Sequence, residues 1–330
     1  MHTFMPRLRC GAVVLILLLV ALVALVALVA GCAGVGRSDT AQLADFMRQE
    51  RGWAGLSTHV ATLPDNTPVT YSEGGPAAAP TLVLLHGYAG DRNHWNRVAR
   101  ELTPRWHLII PDLPGHGETP LDDNASADGM SNTLIDFARA LGLDDYILVG
   151  HSMGGAVADL WALGQPGKTR GLVLIDAAGV YRDNPSPVMQ AIARGENPLA
   201  IDTTSDYDRL LGFAMAKPPF IPDSIEHALA LQAVDHRDAQ GKVINNLLNV
   251  QKNLPASSFQ MVLAGLRMPA LILWGAKDQI FDVRVTDELA TGLADSRVVI
   301  FDDVGHTPIR EAPRRTARAI DGFAGEVYGR

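Results

Sequence analysis

The sequence predicts an α/β protein whose mostly parallel central sheet is flanked by helices and carries a mostly helical insertion. Three observations support this class. The 330 residues are 47% hydrophobic and 19% charged, which is typical of a globular chain. Short continuous apolar runs recur from about residue 56, as in strands buried on both faces. Helical patterns lie between several of these runs, and such alternation favours parallel strands joined by right-handed crossovers.

Six continuous apolar runs are the predicted strands of this sheet. Each is rich in β-branched or aliphatic residues and is expected to be buried on both faces. Two further runs, Val60–Leu63 and Val69–Ser72, flank a proline-containing turn and predict an N-terminal hairpin. The six runs are Thr81–Leu85, His107–Ile110, Tyr146–Val149, Leu172–Ile175, Ala270–Leu273 and Val298–Phe301.

The alternation of strands and helices stops between about Val180 and Gly265. This stretch is rich in proline and contains amphipathic segments, so it predicts a mostly helical cap inserted between two strands. Ser38 or Asp39 is the expected N-cap of a short helix that precedes the sheet. The predicted organisation is a signal peptide (1–31), a tether with a short helix (32–55), the first part of the core (56–179), the cap (180–265) and the second part of the core (266–330).

Several apolar side chains of the cap have two interpretations. In the first interpretation they line an apolar cavity. In the second they form only the small core of the cap itself, and the sequence favours this second interpretation for any single residue. These side chains are Met189, Leu210, Leu211, Phe213, Met215, Phe220 and Met261.

The N-terminal residues have the layout of a secretory signal. Arg7 and Arg9 precede an uncharged apolar run over residues 11–30. Residues 29–32 read Val-Ala-Gly-Cys and resemble the bacterial lipobox, in which the cysteine is diacylated and becomes the new N-terminus. Acyl chains on Cys32 would hold the protein firmly at a membrane surface. The run is also about as long as a bilayer span, so an uncleaved membrane anchor is the alternative.

This resemblance predicts a membrane-anchored lipoprotein of the bacterial cell envelope. Ala33, rather than an aspartate, follows the cysteine, and under the enteric-type sorting rule this favours the outer membrane. Cleavage before Cys32 would remove Cys10, so the mature chain would contain neither a disulfide nor a cysteine nucleophile.

Charge and motif content argue against several classes of protein. The net charge of −8, from 28 basic and 36 acidic residues, is unsuited to binding nucleic acid. Two cysteines cannot form a disulfide-rich secreted module. The sequence contains no clustered zinc-ligand spacing and no Gly-x-x-x-x-Gly-Lys phosphate loop, so it implies no metal and no cofactor. It does not indicate the oligomeric state.

The strongest local signal is Gly-x-Ser-x-Gly around Ser152. The motif directly follows the predicted strand Tyr146–Val149 and precedes a helical pattern that begins at Ala156. A sharp strand-to-helix turn leaves no room for side chains beside the serine, which explains the glycines. Such a turn exposes the serine hydroxyl next to the N-terminus of the helix. The sequence therefore predicts that Ser152 is a catalytic nucleophile.

A serine nucleophile needs an adjacent base, and its partners in this arrangement follow in the order acid, then histidine. Asp278 lies just beyond the run Ala270–Leu273, and His306 lies just beyond the run Val298–Phe301. Both are at carboxyl ends of strands, where α/β sheets place their sites. Asp278 and His306 are therefore the predicted acid and base. Asp282 and Asp176 are alternative acids.

An oxyanion hole needs two preorganised backbone amides. The N–H of Met153 is one candidate, and the N–H of Tyr88, in the loop after Thr81–Leu85, is the other. His86 and Gly87 are expected to shape that turn. His151 is expected to be structural and to point away from the serine. The Pro/Gly-dense stretch 111–117, which contains His116, is expected to be a rigid turn.

Taken together, these residues resemble the α/β-hydrolase superfamily from about residue 56 to the C-terminus. His86-Gly87, the Ser152 motif, Trp-Gly-x-x-Asp278 and Gly-His306 occur in the family's order. Residues 84–95, 274–279 and the stretch from Arg310 onward resemble the bacterial family V lipases and the membrane-bound monoacylglycerol lipases of animals. The resemblance implies a capped serine carboxylester hydrolase (lipase or esterase) acting on lipid esters, with a monoacylglycerol-like substrate and an acyl-enzyme intermediate.

Two other functions fit the same motifs. Superfamily members that hydrolyse carbon–carbon bonds in aromatic ring-fission products share Ser-Met-Gly-Gly. They usually carry a Gly-Pro-Gly-type oxyanion loop, whereas this chain has Ala89-Gly90-Asp91. A non-catalytic lipoprotein that keeps the fold is the other alternative. Such proteins usually lose a member of the triad, and none is missing here.

Overall fold

The computed structural model describes residues 38–121 and 125–329. In this part of the chain the strands are β1 (Leu56–Thr62), β2 (Pro68–Gly74), β3 (Thr81–Leu85), β4 (His107–Pro111), β5 (Tyr146–His151), β6 (Thr169–Ile175), β7 (Ala270–Gly275) and β8 (Ser296–Phe301). The helices before the cap are α1 (Asp39–Trp53), α2 (Asn96–Leu102), α3 (Ala127–Ala140) and α4 (Met153–Gly164), with a 3₁₀ turn over Arg92–Trp95. The later helices are α5 (Pro187–Ala193), α6 (Thr204–Ala214), α7 (Asp223–Asp235), α8 (Arg237–Asn253), α9 (Ala256–Gly265), α10 (Val285–Gly292), α11 (Pro308–Glu311) and α12 (Pro313–Val327).

The strands form one sheet in the order β1-β2-β4-β3-β5-β6-β7-β8. β2 pairs antiparallel with both β1 and β4, and the remaining pairs are parallel. The predicted hairpin is present, although β1 begins at Leu56, four residues before the predicted run. The sheet is therefore mostly parallel, as the sequence predicts, and its carboxyl edge collects the loops that follow β3, β5, β7 and β8.

Alternate residues of the parallel strands contribute to two separate apolar cores, because side chains alternate across a strand. On β5, Tyr146 and Leu148 join one core, whereas Ile147 and Val149 join the other. Helices α3, α4 and α10 cover the first face, and α2 and α12 cover the second. The sheet is thus the middle of three layers, and it holds the ends of its strands rigidly.

The expectation that every apolar run is buried on both faces is wrong for β8. Val298 and Ile300 are 39% and 36% exposed. β8 is the last strand of the sheet, so its backbone pairs with β7 alone and one of its faces remains open. A continuous apolar run therefore does not distinguish an edge strand from a central strand.

Helices α5 to α9 lie between β6 and β7, in the stretch where the sequence predicts the cap. Side chains such as Tyr207, Leu210 and Ile244 pack into an apolar core of their own, together with Ile280 from the loop after β7. Helix α9 differs from the rest, because Phe259 joins the main core beside α4. The cap is thus held to the sheet at α9 and around Ile280.

Helix α1 lies against the cap. It begins after Ser38, whose hydroxyl accepts a hydrogen bond from the Ala41 N–H at 3.3 Å, so Ser38 is the N-cap. Leu43 on its buried side packs with Ile225 and Ala228 of α7. No helix within 38–121 and 125–329 is long and apolar enough to cross a bilayer.

The predicted signal peptide, residues 1–31, and the predicted acylation site at Cys32 lie outside the described residues.

A buried ion pair fixes the turn that follows β4. The guanidinium of Arg92 pairs with the Asp112 carboxylate, and both side chains are at least 98% buried. Asp112 also accepts hydrogen bonds from the backbone N–H groups of Arg92 at 2.8 Å and Glu118 at 2.9 Å. Burial raises the pKa of Asp112 to about 6, and the positive charge of Arg92 opposes this rise. The pair therefore joins the loop after β3 to the turn over residues 111–117.

Replacing Arg92 by methionine is expected to destabilise the protein strongly. The substitution leaves the Asp112 carboxylate buried without a cation, so the free energy of unfolding should fall by about 3–5 kcal/mol. The surface pair Arg139–Asp136 supplies a matched control, because its side chains are 65% and 46% exposed. Arg139→Met should cost less than about 1 kcal/mol. Urea denaturation of both variants measures the difference, and equal losses would contradict this account of the turn.

Candidate active site

Ser152 lies on a strained turn between β5 and α4. Its backbone has φ of 52° and ψ of −121°, a conformation that costs a non-glycine residue roughly 1–3 kcal/mol. A Cβ atom at Gly150 would overlap the carbonyl of Gly154, and one at Gly154 would overlap the carbonyls of Leu85 and His86. The glycines are therefore needed for close packing of the turn, as the motif predicts.

The turn is held by backbone hydrogen bonds to the neighbouring strand. The Ser152 N–H donates to the carbonyl of Ile175 at 2.9 Å, and the Ser152 carbonyl accepts from the Ala178 N–H at 2.9 Å. The Ser152 hydroxyl is fixed by this frame at the carboxyl edge of the sheet.

The structure brings Ser152, His306 and Asp278 into one hydrogen-bonded chain. The Ser152 hydroxyl lies 2.9 Å from His306 Nε2, and His306 Nδ1 lies 2.8 Å from Asp278 Oδ2. The Asp278 carboxylate can only accept a hydrogen bond, so Nδ1 of the neutral imidazole carries the proton and donates a hydrogen bond to Asp278. Nε2 is then free to accept a hydrogen bond from the Ser152 hydroxyl. Ser152 is 154 positions from His306 in sequence, and Asp278 is 28 positions from it. All three side chains are nevertheless buried at the carboxyl edge of the sheet.

Asp278 is oriented by backbone amides as well as by the histidine. Its Oδ1 accepts from the N–H groups of Ile280 at 2.7 Å and Phe281 at 3.0 Å, which leaves Oδ2 for His306. The alternative acid Asp282 instead pairs with Arg284, at 3.0 Å from Nε, and that hydrogen bond lowers the pKa of Asp282. Asp282 therefore forms an ion pair with Arg284 near the surface, and His306 donates its hydrogen bond to Asp278 instead.

Asp176, the other alternative acid, lies beside the chain. One oxygen or nitrogen from each of Asp176, Asp278 and His306 falls within 4.8 Å of the others. Asp176 Oδ1 accepts from the Gly275 N–H at 3.0 Å, and no hydrogen bond to its Oδ2 is present among the described residues. Burial raises the pKa of Asp176 well above its usual value, and the charge of Asp278 raises it further. The surroundings of Asp176 therefore favour its protonated form.

The two predicted oxyanion donors border the same cavity as the serine. Tyr88 and Met153 line it together with Ser152 and His306, and among the described residues neither backbone N–H donates a hydrogen bond within the protein. Met153 is the first residue of α4, so its amide is at the positive end of the helix. Both amides are thus available to a ligand.

His86 supports the loop that carries Tyr88. Its Nε2 accepts from the Leu113 N–H at 3.0 Å, so its Nδ1 carries the proton and contacts the Gly87 carbonyl at 2.9 Å. The ring thereby joins the oxyanion loop to the turn after β4, in agreement with its expected structural role.

The expectation that His151 points away from the site is wrong. Its ring centroid lies 5.2 Å from that of His306, and its Nε2 donates to the His306 backbone carbonyl at 2.8 Å. The role is nevertheless structural, because this hydrogen bond fixes the backbone of His306. The local sequence around Ser152 cannot predict this contact, since the contact depends on where the loop after β8 places the His306 carbonyl.

An apolar cavity of about 240 Å³ opens between the catalytic edge of the sheet and the cap. Of the seven cap side chains with two interpretations, Met189, Leu210 and Leu211 line it. Met215 and Phe213 pack in the cap core, whereas Phe220 and Met261 are 87% and 70% exposed. Some of the seven side chains therefore line the cavity and others form the cap core, whereas Phe220 and Met261 do neither.

Sequence reasoning missed the role of Glu311. Its Oε2 accepts from the backbone N–H groups of Ala216 and Lys217, each at 2.9 Å, and its Oε1 accepts from Gly305 at 3.1 Å. One carboxylate therefore joins the end of α6 in the cap to the loop that carries His306. The only sequence feature that could have indicated this role is the position of Glu311, five residues after His306.

Burial keeps the histidines around this site uncharged. It lowers the pKa of His86 to about 4 and those of His94 and His116 to about 3. An unfolded histidine titrates near about 6.5. Below that pH the unfolded chain binds protons that the native protein does not, so the histidines lower the free energy of unfolding as the pH falls from about 6.5 to 4. Buried carboxyls with raised pKa values, such as Asp112, act in the opposite direction.

His116→Gln isolates one of these contributions. Between pH 6.5 and 4 the variant should lose stability less steeply than the wild type, by up to about 1.4 kcal/mol per pH unit. Urea denaturation across this range measures both slopes, and exposed His59→Gln on β1 is the matched control. An unchanged slope for His116→Gln would show that the native protein accepts a proton at this buried ring.

Known proteins with the same architecture support this reading of the site. A family model described as the alpha/beta hydrolase fold matches residues 80–313. Lipase 1 of Psychrobacter immobilis is 30% identical over 282 residues, which cover 84% of this chain and 87% of that protein. Monoacylglycerol lipase ABHD6 of Homo sapiens is 27% identical, over 77% of this chain and 78% of its own.

A solved structure gives the same result. The crystal structure of a membrane phospholipase A, described as a bacterial virulence factor, aligns with a TM-score of 0.83 at 33% identity, covering 95% of this chain and 99% of its own. The motif order, the sheet topology and these matches agree, and the chain belongs to the α/β-hydrolase family as a carboxylic ester hydrolase.

Proposed function

We propose that this protein is a serine hydrolase of lipid esters, with monoacylglycerol-like substrates, that works through an acyl-enzyme on Ser152. One observation carries the proposal. The hydrogen-bonded chain Ser152–His306–Asp278 ends at an apolar cavity large enough for part of an acyl chain.

Acylation begins when the Ser152 hydroxyl attacks the ester carbonyl. His306 Nε2, already 2.9 Å from the hydroxyl, takes its proton as the Oγ–carbon bond forms. Asp278 holds the imidazole in the required tautomer and stabilises the imidazolium. The same proton then passes to the alkoxy oxygen of the substrate, the ester bond breaks, and the alcohol leaves.

The tetrahedral intermediate carries a negatively charged oxygen, which hydrogen-bond donors must stabilise. The backbone N–H groups of Tyr88 and Met153 are free to supply them, and one such donor is typically worth about 3 kcal/mol in the transition state. The α4 N-terminus adds favourable electrostatics at the same place.

Deacylation repeats the chemistry with water. His306 takes a proton from a water molecule that attacks the acyl carbonyl, and then returns that proton to Ser152 Oγ as the carbon–oxygen bond to the enzyme breaks. The products are a carboxylic acid and the regenerated serine.

The character of the cavity supports a lipid substrate. Its walls are mainly aliphatic, and they include Met189, Leu210 and Leu248 of the cap, together with Val180, which packs against the main apolar core. Burial of an acyl chain against such walls stabilises binding by roughly 0.8 kcal/mol per methylene. The relatives named lipase, monoacylglycerol lipase and phospholipase A are consistent with this class.

Ser152→Ala should abolish both hydrolysis of 1-monoacylglycerols and labelling by a fluorophosphonate. Removal of a serine nucleophile lowers kcat by about 10⁶-fold, because the remaining site only binds and polarises the ester. Asp278→Asn should cost about 10⁴-fold through the wrong histidine tautomer. Asp176→Asn is the matched control and should retain most of the activity, since the His306 Nδ1 hydrogen bond is to Asp278.

Hydrolysis and labelling are measured on variants shown to be folded by circular dichroism. Wild-type protein that neither reacts with the probe nor turns over any ester would overturn the proposal. Equal losses for Asp278→Asn and Asp176→Asn would overturn the assignment of the acid.

We further propose that acylation of Cys32 anchors the mature enzyme to the bacterial envelope, at the outer membrane. The support is the Val-Ala-Gly-Cys sequence and the short distance along the chain from Cys32 to α1, which begins at Asp39. A lipid surface would then be the place where this enzyme meets its substrate.

Mass spectrometry of the mature N-terminus tests the anchor. Protein extracted from membranes should begin at Cys32 and carry acyl chains, and Cys32→Ser should abolish acylation while leaving ester hydrolysis intact. A mature chain that retains residues 1–31 would instead support the uncleaved anchor.

A further inference from the structure

Asp159 is a buried carboxyl that neither the fold nor the triad uses. It lies on α4 and is 1% exposed, and neither of its carboxyl oxygens has a hydrogen-bond partner among the described residues. It also takes part in no ion pair in this part of the chain. Leaving such a group unsatisfied typically costs about 1–3 kcal/mol, so a leucine would serve the core better.

Asp159 borders the catalytic cavity on the same side of α4 as the nucleophile. Ser152, Met153, Ala156, Asp159 and Leu160 all line it, at the spacing of one helix face. Asp159 follows Ser152 by seven residues, which is about 10 Å along a helix. Asp159 is therefore part of the cavity wall, displaced from the nucleophile along α4.

The cavity that Asp159 borders has mainly apolar walls. Val180, Phe259 and Val262 line the same cavity. The nearby Tyr181 hydroxyl donates to the carbonyl of Ala177 at 2.7 Å. Burial, with no compensating cation, raises the pKa of Asp159 well above its usual value. The protonated form is thus favoured, and a protonated carboxyl both donates and accepts hydrogen bonds.

We propose that Asp159 binds an uncharged hydroxyl on the acyl chain of the substrate, several carbons from the ester. A hydroxyl both donates and accepts, as the neutral acid requires, and an alkyl chain on either side of it suits the apolar walls. A glycerol hydroxyl is the other source of this chemistry, but in a 1-monoacylglycerol it lies within three carbons of the ester oxygen and so falls short of Asp159. The inference rests on the proposed lipid esterase function and defines its substrate class further.

Paired esters test this selectivity. The p-nitrophenyl esters of 10-hydroxystearate and stearate differ only in a mid-chain hydroxyl, and kcat/KM for the hydroxylated ester should be higher by about five- to tenfold. Asp159→Leu should remove this preference without loss of activity on stearate. Asp159→Asn should retain most of it, because an amide still donates and accepts. Leu163→Met, a volume-conserving change at a 40% exposed position of the same helix outside the cavity, is the matched control and should leave the preference unchanged.

A second pair identifies the source of the hydroxyl. If 1-stearoylglycerol is preferred to ethyl stearate, and Asp159→Leu removes that preference, the glycerol is bound instead and the acyl-chain assignment is wrong. If the wild type hydrolyses all four esters without any preference, Asp159 has no ligand role and only this inference fails. If it hydrolyses none of them, the proposed function fails. Thermal unfolding of each variant separates loss of fold from loss of selectivity.

Discussion

The strained backbone of Ser152 is the constraint on which the rest of the site depends. A φ of 52° at a residue with a side chain is unfavourable, and it persists because β5, β6 and α4 fix the backbone on both sides. The turn exposes the hydroxyl to His306, leaves the Met153 amide unpaired and brings the first turn of α4 against the loop after β3. The glycines on either side make this packing sterically possible.

Three buried aspartates near this turn have different environments and therefore different chemistry. Asp278 receives two backbone amides and the histidine, which suits an ionised carboxylate. Asp176 receives one amide, and burial together with the negative charge of Asp278 raises its pKa. Asp159 receives no hydrogen bond from the described residues, and burial alone raises its pKa. The number of donors around each carboxyl, rather than its residue type, sets its role.

The sequence predicts the parts of this structure that local rules govern. Buried runs mark the strands, and the glycine spacing marks the turn at Ser152. The order of strand ends identifies Asp278 and His306 because parallel strands share one carboxyl edge. The remaining features depend on contacts between distant segments. The open face of β8, the hydrogen bond from His151 to the His306 carbonyl, and the attachment of Glu311 to the cap have no local signature. Likewise, only the three-dimensional structure shows that the Asp159 carboxyl is buried without a hydrogen-bond partner among the described residues.

A crystal structure of the enzyme inactivated with a long-chain alkyl phosphonate shows whether the hydrolytic site assembles around Ser152, because the adduct mimics the tetrahedral intermediate. We expect phosphorus bonded to Ser152 Oγ, with one phosphoryl oxygen about 2.7–3.1 Å from both the Tyr88 and Met153 amides. The alkyl chain should extend into the cavity past Ala156 toward Asp159. A phosphoryl oxygen turned away from both amides, or phosphorus bonded to another residue, would contradict the account.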